Sequence, residues 1–138
     1  FVGPPLTAEE VRAEAIDVAG ALDDGYWMYC EEMDWCLRLA YYGYGVWAEP
    51  GVRVVHHVGQ SSKQVRWRAF ERLWRSRFRF YARHPGYYGP VHLGLVRLLV
   101  RAGTGRLRRE VETQFAQGEI DGVALAEALD ALDAVRRL

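Results

Sequence analysis

The sequence predicts a predominantly helical α+β chain with one short strand pair. Two observations carry the helices. Trp67, Phe70, Trp74, Phe78 and Tyr81 recur at helical spacing and form one aromatic stripe. Capping and stop residues bracket further apolar runs on either side of it. The strand pair rests on a third. Val46 to Glu49 and Val52 to His56 are short β-like runs around Pro50-Gly51.

In chain order, Thr7 followed by Glu10 is a capping box. It predicts a helix from Thr7 to Val18, closed by Gly20. Asp23, Asp24 and Gly25 make a turn. A second helix spans Tyr29 to Tyr42 and stops before Gly43. The strand pair follows, then a loop from Gly59 to Ser62, whose serines cap the next helix. That helix, Gln64 to Arg83, carries the aromatic stripe, and His84-Pro85-Gly86 ends it. Val91 to Ala102 is a short apolar helix interrupted by Arg97. Gly103 to Gly105 are expected to break the chain. Two helices come after, Arg106 to Ala116 and Gly122 to Arg137, the second capped by Asp121. Leu125, Leu129 and Leu132 give the last a narrow apolar seam.

Composition bounds the function. At 138 residues the chain is one domain or part of one. Half of it is hydrophobic, enough for a core. Formal net charge is zero, so no global field recruits nucleic acid. No apolar run reaches the ~20 residues that span a bilayer. Cys30 and Cys36 are not spaced as a metal knuckle and point to reduced thiols in a cytoplasmic protein. The chain starts at Phe1 without an initiator Met, which reads as a piece of something longer.

The stretch MYCEEMDWCLR, Met28 to Arg38, places three carboxylates among apolar residues. At about 100° per residue, Glu31, Asp34 and Arg38 share one helix face. Met33, Leu37 and Ala40 lie opposite and are expected to pack. The plain reading pairs Asp34 with Arg38 and leaves Glu31 and Glu32 to favour the helix start. The functional reading makes a carboxylate fixed at a helix start a general base.

A wider run weighs on that choice. GALDDGYWMYCEEMDWCLRLAYYGYGVWAEPGVRVVHHVGQSS, from Gly20 to Ser62, resembles the C-terminal half of the catalytic domain of family-two, GT-A-fold glycosyltransferases, nearest the rhamnosyltransferase-like branch. The upstream VRAEAIDVAGALDD and the downstream RFYARHPG fit the same pattern. The resemblance implies residues 1–90 as the acceptor-side part of a transferase and residues 91–138 as a helical extension. It implies an inverting transfer from a nucleotide-diphospho sugar to a glycan or polyprenyl-linked acceptor. Glu32 matches the position of the catalytic base, where most relatives carry Asp, and Glu31 its neighbour. Asp34 with Arg38 would scaffold the acceptor side. Trp27, Tyr29 and Trp35 are candidates to stack on sugar rings. His56 matches a ligand to a bridging Mg²⁺ or Mn²⁺, with His57 the weaker candidate. No Asp-x-Asp occurs in the chain, so the nucleotide-binding half is expected elsewhere, and the chain by itself is expected to hold no metal and to transfer no sugar.

The alternative is a non-catalytic helical module that self-associates as a homodimer through its apolar seams. A third reading sets the Arg-rich aromatic helix against nucleic acid or the inner face of a membrane, as a peripheral contact. Zero net charge weighs against nucleic acid.

Overall fold

The computed structural model describes residues 13–47, 51 and 65–138. These hold five helices: α1 (Ala13–Ala19), α2 (Glu31–Tyr41), α3 (Arg66–Arg83), α4 (Pro90–Ala116) and α5 (Gly122–Arg136). There is no strand among them, which corrects the α+β expectation to a helical chain. Val46 and Trp47, placed in the first strand by sequence, are irregular. A strand pair needs an apolar face to bury, and Trp47 is 87% exposed here. The rest of the predicted pair, with His56, His57, Ser61 and Ser62, lies outside the described residues, as does the Thr7 capping box.

Local chemistry sets most helix ends. Gly20 adopts φ 74° after α1, and its N–H donates to the Ile16 carbonyl. Gly43 (φ 83°) and Gly118 (φ 74°) follow α2 and α4 in the same left-handed region. Pro90 opens α4 at the position where its missing N–H costs nothing. Asp121 caps α5 by accepting from the Ala124 N–H at 2.8 Å.

The expected break at Gly103 to Gly105 is absent. Instead α4 runs unbroken for 27 residues. Each helical glycine costs roughly 1 kcal/mol, but packing outweighs it. Val100, Thr104 and Val111 are buried on one face of α4. On α5, Ala128, Ala131, Leu132 and Val135 are buried. That apolar face is wider than the predicted leucine seam. Thr104 turns its hydroxyl back to the Val100 carbonyl at 2.7 Å, so its polar atom is satisfied inside the core. In this arrangement α5 packs against both α4 and α3.

A second, smaller core joins α1 to α2 through Ala15, Ala19, Trp35 and Leu39. A third lies where the α1–α2 segment meets α3: Tyr26, Cys30 and Phe80, flanked by Tyr29, Leu37, Tyr81 and Tyr88. The aromatic stripe forms as predicted, with neighbouring rings 6.1–6.5 Å apart from Trp67 to Phe78. Its rings are half-buried.

Candidate functional site

The face of α2 that turns inward is the predicted one only at Leu37, which packs half-buried beside Phe80. Met33 and Ala40 are exposed, while Asp34, Trp35 and Leu39 are buried. The reason is a polar hub that the apolar pattern alone did not weigh. Asp34 is fully buried, with 0% exposure. Its Oδ2 accepts from Arg38 Nε at 2.9 Å, one turn on. Its Oδ1 faces His84 Nε2 at 2.9 Å, Arg83 Nε at 3.2 Å and the Tyr26 hydroxyl at 3.3 Å. Burial alone would raise this carboxyl. The hydrogen bonds from Arg38 and His84 and the charge of Arg83 outweigh it and hold the group below the usual carboxylate range. Burial, with the same carboxylate beside it, pushes the Tyr26 phenol far up.

Arg38 uses the rest of its guanidinium on backbone. Nη1 donates to the Ala19 carbonyl and Nη2 to that of Ala21 at 2.7 Å. One side chain thus ties the end of α1 to the middle of α2. Trp35 adds a parallel tie, its indole N–H donating to the Gly20 carbonyl at 2.7 Å. A second acid, Asp23, accepts from the Gly25 N–H at 2.8 Å and from Arg79 and Arg83 of α3 at 2.9 and 2.8 Å. The Gly25 hydrogen bond and Arg79 hold its carboxyl low. Two acids and a row of bases therefore pin the α2 start to the C-terminal turns of α3.

Glu31 and Glu32 open α2. Directly before them, Tyr29 and Cys30 both sit in the left-handed region, at φ 72° and 68°. Neither is glycine, and strain of this kind costs about 1–3 kcal/mol per residue. It persists because both ends are held. The Met28 carbonyl accepts from Ser76 Oγ at 2.6 Å, and Cys30 is buried against Phe80. This fixed bend delivers the two glutamates, both half-buried, to the first turn of α2. Glu31 Oε2 is shielded from solvent and has no hydrogen-bond partner. Burial pushes the Cys30 thiol up to about 11, and the nearby Glu32 carboxylate adds to it.

The remaining predicted residues divide. Trp27 is exposed, with the Arg72 guanidinium 4.6 Å from its ring centre. Trp35 is core, and Tyr29 packs half-buried beside Phe80. His56 lies outside the described residues. Among the described residues no three His, Cys, Asp or Glu side chains converge on a point that could hold a cation. Neither cysteine forms a disulfide; Cys30 is buried and Cys36 half-buried. Sequence reading missed Asp23, Tyr26, Arg79, Arg83 and His84. Arg75, Arg79 and Arg83 recur every fourth residue, directly before His84, and that basic ladder called for acids elsewhere.

Among curated proteins, the chain is similar to "Rhamnosyltransferase WbbL" of Escherichia coli (strain K12), 36% identical over 61 residues. The matched segment is 44% of this chain and 23% of that protein, so the chain spans under a quarter of its relative's length. No protein-family model and no solved structure matches. The similarity gives a glycosyltransferase-like relationship at a coarse level.

Proposed function

We propose that this chain supplies the acceptor side of an inverting sugar transfer, with Glu32 as the general base and Glu31 beside it. The nucleotide-sugar donor site belongs to another half. The reading is carried by one observation: the similarity to a rhamnosyltransferase accompanies a strained bend that sets two glutamates at a helix start. In the proposed step, Glu32 takes the acceptor hydroxyl proton as that oxygen bonds to the anomeric carbon. The bond to the nucleoside diphosphate breaks, and the diphosphate leaves with the electron pair. Glu31, with one oxygen buried and unpartnered, orients the acceptor or the bend. Any cation role stays with His56. The acceptor class is a glycan or polyprenyl-linked saccharide.

A chimera tests this. The 61-residue segment matched in the E. coli rhamnosyltransferase is replaced by its counterpart from this chain. Transfer is expected to persist, and Glu32→Gln in the chimera is expected to lower kcat by on the order of 10³-fold with donor binding kept. Retained turnover in that variant removes Glu32 as the base. A folded chimera without activity overturns the equivalence of the two segments.

A further inference from the structure

We infer that the N-terminal half of α4 is an in-plane contact for an anionic lipid surface. The inference does not rest on the sugar-transfer reading. The packed face of α4 is Val100, Thr104 and Val111. At about 100° per residue, Val91, Leu95, Leu98 and Ala102 lie on the opposite side. Val91 is 85% exposed, Leu95 55%, Leu98 65% and the adjoining Leu99 62%. Exposed tyrosine, Tyr87, stands just before the helix. Single exposed apolar residues are ordinary, but a contiguous stripe on the solvent side of a helix marks a contact surface.

Charge selects the occupant. Between Glu71 and Glu110 the chain has ten arginines and no acid. Several are spent: Arg79 and Arg83 on Asp23, and Arg108 on Asp133. Arg97 lies over the Phe78 ring and donates to the Leu138 carbonyl. Arg101, Arg106 and Arg109 edge the stripe and make no ion pair among the described residues. An apolar stripe bordered by free guanidinium groups complements acyl chains beneath lipid phosphates. A second copy packed stripe to stripe would set the same acid-free, arginine-edged segment against itself, so like charges would oppose a dimer on this face. No described helix is long and apolar enough to cross a membrane, which leaves a contact lying along the surface. The contact falls to α4 and not to the Arg-rich α3, whose rings are half-buried and whose Arg79 and Arg83 are paired.

Vesicle flotation of the whole chain tests the inference. Vesicles of phosphatidylcholine and phosphatidylglycerol in equal parts should carry the protein, and added salt should release it. Phosphatidylcholine alone should carry much less. Arg101→Gln with Arg106→Gln should weaken binding by on the order of 30-fold. Leu95→Ser with Leu98→Ser should weaken it by at least about 10-fold. All four positions are solvent-facing, and circular dichroism checks that the fold is kept. No flotation with anionic vesicles, or binding that survives both double variants, overturns the inference. So does a concentration-dependent dimer, without vesicle binding, that the leucine variant abolishes.

Discussion

His84 Nε2 lies 2.9 Å from Asp34 Oδ1, across 50 residues of chain. That contact joins the start of α2 to the last turn of α3. Around it, Arg38, Arg83 and Tyr26 complete the carboxylate's partners. A buried carboxylate is tolerated only when its charge is met from several sides. Here the charge also orders three segments at once, so the hub positions the strained bend and the two glutamates that follow it.

Removing the hub should be costly. Asp34→Ala leaves Arg38, Arg83, His84 and Tyr26 without their common acceptor. The expected loss is about 3 kcal/mol of unfolding free energy, measured by urea denaturation. A loss below about 1 kcal/mol would show that the donors find water instead.

Acid should unfold the chain through these same groups. Asp34 and Asp23 have folded-state pKa values held below their unfolded ones. Their stabilisation is therefore present above the ordinary carboxylate pKa and is lost as pH falls through the lowered folded values. Asp34→Asn should flatten that acid limb. An acid limb as steep as the parent's would place the linkage elsewhere.

Arginine at 38 should not be replaceable by lysine. The guanidinium meets Asp34 Oδ2 and the carbonyls of Ala19 and Ala21 together. A lysine ammonium has no planar fork to span all three. Arg38→Lys is expected to lose about 2 kcal/mol and to speed amide exchange in α1 ahead of the rest of the chain. Full rescue by lysine would reduce the residue to its charge.

Gly103 should be improvable. It sits inside α4, and a Cβ there would meet nothing within 4 Å. Gly103→Ala removes a backbone-entropy penalty and should add about 1 kcal/mol. For a chain of this size that is about 4 °C in Tm. A fall in Tm would mean that the open space is needed.

Cys30 should resist alkylation. Its thiol is buried and raised to about 11, so at pH 8 only about one molecule in a thousand carries the thiolate. Iodoacetamide labelling followed by peptide mass analysis should find it at least ~100-fold slower in the folded chain than in urea. Equal rates would mean that the bend opens freely.

Much of this molecule was legible from local chemistry. Gly20, Gly43 and Asp121 announced helix ends because each acts on backbone groups within a turn of itself. The aromatic stripe was legible because helical periodicity is a property of a short window. The Asp34–Arg38 pair, one turn apart, was visible for the same reason. What only tertiary structure decided depends on partners distant in sequence. Glycines 103 and 105 do not break α4, because burial against α5 outweighs their propensity. Asp34 turns inward and Met33 outward, because Tyr26, Arg83 and His84 arrive from other segments to meet its charge. Tyr29 and Cys30 hold left-handed conformations that no residue type announces, because Ser76 and Phe80 of α3 hold the bend from outside. The sequence named Glu31 and Glu32; the packing of α3 decides the bend on which they sit.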